Sequence, residues 1–259
     1  MSARDRTPMF ESKPFVMRAV QVGFLGLLLG LWFIATSVTQ VHRLLLPGPP
    51  QVWHEMQRLV VTGELWRAAR VTLLTVGQAY GIAVASGLLI GFCVSRSRHA
   101  VRLLEPVLSG FFAIPLTLFF PLFILFFGIG TASKLAYGAL YALLPVALAS
   151  IAAFARIDPL LIRAATAMGA RPAALLRRVY LPAALPGVLS GMRIALVICI
   201  AAVLGGETLA STAGVGYAIK VAEELMEVAR MYAWLIFVIL ASFALNMLLS
   251  VAERWSVES

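Results

Sequence analysis

The sequence predicts an all-α integral membrane protein of about six transmembrane helices, and three observations carry that prediction. The 259 residues are 61% hydrophobic and only 13% charged, whereas soluble domains run nearer 45–50% apolar and about 25% charged. The apolar residues fall in continuous runs rather than in the alternation of a barrel strand. Between two of those runs lies a polar, proline-broken insert, Asp158 to Pro186, whose backbone and charges lipid cannot satisfy.

A hydrocarbon core of roughly 30 Å takes about 20 helical residues. Six runs are long enough, near 19–38, 68–94, 103–127, 133–154, 188–209 and 232–251. Residues 1–18 read as a polar N-terminal segment and 19–259 as one transmembrane domain, with the loop 156–187 set into it. No cleavable signal peptide is expected, because the first apolar run is too long and lacks a small-residue cleavage site. The third run carries Pro106, Pro115 and Pro121, which predict a kink or a break. Such a helix can line a pathway or simply pack.

Outside the runs, Pro47, Pro49 and Pro50 precede an amphipathic stretch from Val52 to Leu59. Between the last two runs, a turn at Gly214-Val215-Gly216-Tyr217 opens a second amphipathic helix. Lys220, Glu223, Glu224 and Glu227 mark its polar face, and Ile219, Ala222, Leu225, Met226 and Ala229 lean the other way.

A net charge of +9 is compatible with nucleic acid, but the basic residues sit in short loops rather than on one soluble face, so no nucleic-acid partner is expected. They carry orientation instead. Fourteen fall on one side: Arg4, Arg6, Lys13, Arg18, Arg96, Arg98, Arg102, Arg156, Arg163, Arg171, Arg177, Arg178, Arg193 and Arg254. Seven fall on the other: Arg43, Arg58, Arg67, Arg70, Lys134, Lys220 and Arg230. The positive-inside rule puts both termini and the insert in the cytoplasm.

Glycine pairs at i,i+4 (Gly26 and Gly30, Gly77 and Gly81, Gly87 and Gly91, Gly187 and Gly191) predict close helix packing. Cys93 and Cys199 lie in apolar runs and read as buried thiols. Trp53, Trp66, Trp234 and Trp255 fall near expected interfaces, with Trp32 deeper. His42, His54 and His99 lack metal-ligand spacing, so no metal site is expected. No catalytic motif appears, neither a His-Glu-x-x-His nor a Gly-x-Ser-x-Gly.

Five polar residues within the runs are candidates for a solute pathway: Gln78, Tyr80, Tyr137, Glu207 and Asn246. Each can equally serve as an interhelical hydrogen bond. Glu207 is the costly one, since a carboxylate at mid-bilayer costs roughly 2.5–3.5 kcal/mol. It either sits at the interface, pairs with a basic neighbour or gates a pathway. A carboxylate alone is a poor ligand for an anion.

In the insert, Asp158 can cap a helix that Pro159 starts. Gly169 is placed to end that helix in the left-handed conformation. Ala164 and Ala165 offer almost no side chain, so another surface can approach their backbone. Pro172 can start a second helix through Tyr180, which Leu181-Pro182 would stop before Pro186 restarts the chain. The expectation is helix, turn, helix across the membrane plane.

The string Ala164-Ala165, Gly169-Ala170, then Val179-Tyr180-Leu181-Pro182, resembles the cytoplasmic "EAA" loop of permease subunits of ATP-binding-cassette importers. The resemblance extends to Leu46-Pro47 with Pro49, to Pro121–Gly130 and to Gly214–Tyr217. It covers nearly the whole chain from about residue 30, and it looks like the branch that imports nitrate, sulfonates, taurine and similar small molecules. It implies a type I importer-like permease in the bacterial inner membrane. Two copies would form the pore, two separate ATP-binding subunits would hold ATP and Mg, and an extracytoplasmic substrate-binding protein would dock outside. No glycine loop followed by Lys and Ser or Thr occurs in this chain, so no ATP is expected on it. The coupling residues implied are Arg163, Ala164, Ala165, Gly169, Ala170, Arg171, Leu181 and Pro182.

The chain departs from the family at two of these. Arg163 stands where the family has glutamate, and Arg171 replaces a side chain able to cap the second helix. Either the first position is tolerant, or Arg163 pairs with an acidic residue of a particular ATPase. The competing class is an ATP-independent secondary transporter or channel, which predicts inverted halves with matching broken helices; no such symmetry is evident.

Overall fold

The computed structural model describes residues 14–37 and 46–258, and among them every regular element is helical. The helices are α1 (Pro14–Ser37), α2 (Pro49–Val61), α3 (Glu64–Ser95), α4 (Arg98–Ala113), α5 (Phe120–Phe127), α6 (Thr131–Ala155), α7 (Pro159–Ala167), α8 (Pro172–Leu175), α9 (Leu181–Leu209), α10 (Val215–Glu224) and α11 (Val228–Glu258). The N-terminal segment through Lys13, together with His42 and Arg43, lies outside the described residues, as do the side chains of Arg18, Arg254 and Trp255.

Among the described residues, four stretches are long and apolar enough to cross a bilayer: Glu64–Ser95, Thr131–Ala155, Pro172–Leu209 and Val228–Ser250. The expected first run falls in α1, whose described apolar stretch is Gly26–Thr36. The expected third run is α4 and α5, bent by 76°. Pro115 causes the break: it lacks an N–H and pushes the residue before it out of helical space. Ile114 accordingly adopts φ −77°, ψ 131°. The chain restarts through a tight turn at Leu116–Phe119, and Pro121 sits in the first turn of α5.

Helix α6 is the centre of the bundle. Gly87 and Gly91 of α3 press on Val146 and Ser150, and Gly187 and Gly191 of α9 press on Ala153 and Ala149. A Cβ at Gly87 would stand 2.7 Å from Val146. Two of the four glycine pairs are thus packing seams, whereas Gly26, Gly30, Gly77 and Gly81 face open space. The core between α3, α6 and α9 is built from small residues such as Ala79, Ala83, Ala142, Ala195 and Cys199. Close backbone approach is how helices gain dispersion contacts where lipid is as apolar as the core. Cys93 is exposed, contrary to expectation, because α3 turns Gly91 and Val94 inward and Cys93 away.

At one end, α2, α10 and the starts of α3 and α11 form a second cluster around Trp234. Trp234 is fully buried rather than interfacial, while Trp53 and Trp66 are exposed. Trp32 donates its indole N–H to the Pro47 carbonyl at 3.1 Å. Helix α10 ends at Glu224, and Met226 turns the chain in the left-handed region at φ 55°. Leu225 and Met226 are therefore exposed instead of leaning on the bundle. Arg230 closes this corner by pairing with Glu64 and with Glu227.

Candidate functional site

The insert is built as a capped helix on a rigid base. Asp158 accepts the Leu160 N–H at 2.8 Å, satisfying one free donor of α7. At the other end Gly169, at φ +80°, donates to Thr166 at 2.9 Å, and Ala170 donates to Ala165 at 3.1 Å. This paired reverse bonding is a Schellman turn, which needs a left-handed residue and so favours glycine. Arg171 precedes α8 in extended conformation and caps nothing with its side chain.

The second half differs from expectation. Leu181-Pro182 stops no helix: α8 passes through a π-helical turn, Leu176–Tyr180, directly into α9. In a regular helix the Pro182 ring would strike the carbonyl of Arg178. The wider turn, in which the Leu181 N–H reaches Leu176 one residue further back, makes room for it. The insert is therefore one separate helix, a turn, and the start of a long helix that becomes a span.

Exposure sorts the eight coupling residues. Arg163, Ala164, Gly169, Arg171, Leu181 and Pro182 are exposed, Ala170 is half-buried and Ala165 is buried. Only Ala164, not the Ala164-Ala165 pair, offers its surface outward. It is flanked one helical turn away by Leu160 and Met168, which are 69% and 83% exposed. The inward face seats on a cluster of Phe154, Ile157, Ala184 and Val188, with Ile162 and Tyr180 against it. Phe92 meets Phe154 and Tyr180 edge-on at 5.5 and 5.9 Å, and the Arg96 guanidinium lies over the rings of Phe92 and Tyr180. Packed rings thereby join the base of the insert to the ends of α3, α6 and α9.

At the opposite end lies a buried polar network. Glu207 is 3% exposed. Thr72 donates its hydroxyl to the carboxylate (2.8 and 2.9 Å to the two oxygens), and the Gly216 N–H donates to Oε2 at 2.8 Å. The Val215 N–H donates to Thr72 Oγ1 at 2.8 Å. Glu207 and Thr72 thus satisfy the first free amides of α10 from two other helices, and the helix dipole favours an anion there. Lys134, counted with the loop charges although it falls at the start of the run 133–154, lies in the first turn of α6 and is 2% exposed. Its ammonium donates to the carbonyls of Gly130, at 2.8 Å, and Ile129.

The other pathway candidates do not gather at this network. Tyr80 donates to the Met192 carbonyl at 3.0 Å, and Asn246 accepts from Arg193 Nε at 2.9 Å, so both brace α9 around the same turn. Tyr137 is buried among Phe120, Phe123 and Tyr141, and Gln78 is exposed on α3. Sequence reasoning passed over Thr72, Thr75 and Lys134. The one signal was a single lysine just after Gly128-Ile129-Gly130, inside an otherwise apolar run.

Comparison with known proteins agrees with this architecture. A family model described as "binding-protein-dependent transport system inner membrane component" matches residues 83–258. The chain is 29% identical over 242 residues to the taurine transport system permease protein TauC of Escherichia coli (strain K12), covering 91% of this chain and 87% of that one. It is 27% identical over 211 residues to a putative aliphatic sulfonates transport permease protein SsuC of Bacillus subtilis (strain 168), covering 82% and 76%. Its fold is similar to a chain of the inward-facing MetNI methionine ABC transporter, with a TM-score of 0.64 at 22% identity over 74% of this chain and 95% of that one. The chain belongs to the family of binding-protein-dependent transport system inner membrane components, and it is a permease of the ATP-binding-cassette transporter class.

Proposed function

We propose that this permease forms the translocation pathway of an ATP-driven importer for a small sulfonated solute, taking its energy from separate ATPase subunits that hold ATP and Mg. Two copies build the pore, each offering α7 to one ATPase subunit. A substrate-binding protein docks at the end that carries α10. The positive-inside asymmetry supports a cytoplasmic location for α7 and both termini in a bacterial inner membrane.

The observation that carries the reading is the outward face of α7. Leu160, Ala164 and Met168 form an exposed apolar stripe on an insert too polar for lipid, and a partner protein is what such a stripe fits. The relatives named for taurine and aliphatic sulfonates support the substrate class. ATP binding that brings the two ATPases together moves both inserts, and the rings around Phe92 and Tyr180 pass that motion to the spans. A nucleotide can drive this only through its different affinities for the two states.

The test is a cysteine at Ala164, crosslinked to the ATPase in membranes, together with vanadate-sensitive uptake of radiolabelled taurine into vesicles holding the whole complex. Capture of the ATPase and ATP-dependent uptake are expected. Uptake by this polypeptide alone, with no capture, would overturn the reading.

A further inference from the structure

We propose that the broken third span, α4 with α5, is the seam at which a second copy of this chain docks, each copy covering the bend of the other. The proposal rests on the reading that two copies build the pore, and it names the surface they share.

None of the residues of α4 is buried. Leu108 leans on the cluster around Phe120 and Tyr137. A different side of the helix carries Arg98, Arg102, Glu105 and Ser109, which recur every three or four residues, share one face and are all exposed. Glu105 stands two turns into α4, about 10 Å along its axis. Lipid gives a carboxylate no partner at such a place.

The backbone of this span is open as well. Where α4 and α5 bend by 76°, no backbone amide among the described residues bonds the carbonyls of Phe112, Ala113 or Ile114. Ala113, Ile114, Pro115 and Leu118 are exposed. Ile114 shares a groove with Leu140, which lies about 14 Å into the span α6 counted from Thr131, so the bend is at hydrocarbon depth. Non-helical backbone is tolerated there only where protein covers it or water reaches it.

One chain alone meets neither condition, since its bend is bare and a single wall encloses no water. A second copy meets both. A two-fold axis sets the same patch on each side of an interface, so the polar stripes of two α4 helices face a shared space instead of lipid. The groove beside the bend is about 500 Å³ and lined by leucine, isoleucine and phenylalanine side chains. Leu118, Leu125 and Phe126, which are 75%, 77% and 77% exposed, are the apolar side chains each copy brings to the seam. Helix α11 makes the contrast: it packs on α9, α10 and α2, and its exposed Leu240, Phe243 and Met247 are apolar, as lipid requires.

The test places a single cysteine at Leu118 or at Phe243, each together with Cys93→Ser, in the permease assembled with its ATPase in nanodiscs. Both positions are exposed, so neither change disturbs the core. Copper-phenanthroline oxidation is expected to join two permease chains through Leu118→Cys and not through Phe243→Cys. Nitroxides on the same cysteines give the second measurement. Dissolved oxygen, concentrated in lipid, is expected to broaden the Phe243 signal and to lose most of that effect at Leu118. A Leu118 label as open to oxygen as the Phe243 label overturns the proposal, and so does pairing through Phe243 in place of Leu118. ATP-driven uptake by a complex whose Leu118 labels lie in lipid sinks the seam and leaves the importer reading standing. Chains that pair through Leu118 yet transport without the ATPase sink the importer reading and leave the seam.

Discussion

Glu207 of α9 accepts the amide of Gly216, nine residues later, at 2.8 Å in a fully buried setting. A span therefore holds the first turn of the helix that follows it. Thr72 of α3 completes the join by donating to Glu207 and accepting from Val215. The costly carboxylate of the fifth run is explained by this: it stands in for the missing cap of α10, drawn from another element.

The join depends on two glycines. Gly214 has φ +108°, and a Cβ there would run into the Glu207 carboxylate; at Gly216 it would lie 2.5 Å from the Leu204 carbonyl. Gly216→Ala is expected to destabilise the protein by about 1–3 kcal/mol through overpacking. Gly205→Ala, where a Cβ meets nothing within 4 Å, is expected to stabilise it by about 0.5–1 kcal/mol through lost chain entropy. Thermal unfolding in detergent separates the two, and parallel shifts would contradict the packing argument.

Thr72 carries both halves of a relay in one hydroxyl. Thr72→Val preserves shape but strands the Val215 amide and removes a donor from a buried carboxylate, a loss of about 1–3 kcal/mol. Thr72→Ser is expected to retain most of the stability. The check is the difference in melting temperature between the two variants, read alongside proteolysis of the α10 loop.

Neighbouring alanines in the insert are expected to behave differently. Ala164 is exposed and Ala165 is buried on its own bundle. Ala164→Trp leaves the melting temperature unchanged and abolishes co-purification with the ATPase. Ala165→Trp lowers the melting temperature as well, because overpacking here costs about 1–3 kcal/mol. Equal loss of ATPase with equal loss of stability would mean that the outward stripe on α7 is no docking face.

Gly169 holds its left-handed φ of +80° in open surroundings. Gly169→Ala is expected to cost about 1–2 kcal/mol from backbone strain alone, and Gly169→Asn less, since asparagine tolerates that region. Hydrogen exchange of the Ala170 amide, which bonds Ala165, reports whether the turn loosens. Unaltered protection in the alanine variant would show the turn does not rely on glycine.

What was legible in advance followed from chemistry that acts locally. Continuous apolar runs read as membrane helices because lipid offers the backbone no partner. Pro106, Pro115 and Pro121 together read as a kink or break in the third run, which the structure places at Pro115, and Asp158 and Gly169 read as the two ends of α7 because caps and left-handed turns favour those residue types. Pro182 misled by the same local logic: a neighbouring π turn absorbed the clash, and adjacent residues alone do not reveal that accommodation.

The sequence by itself determined the class of molecule, the placement of its helices and the insert that marks its family, since each depends on residue type and near-neighbour spacing. Only the tertiary structure decided which side of a helix faces inward and which distant residues meet. It buried Ala165 while exposing Ala164, sent Trp234 into the core, and turned Lys134 from a loop charge into the wall of a chamber shared with Glu207. Those outcomes come from helix rotation and packing against α6, and from contacts such as Thr72 with Glu207, 135 residues apart. No single stretch of chain contains that information.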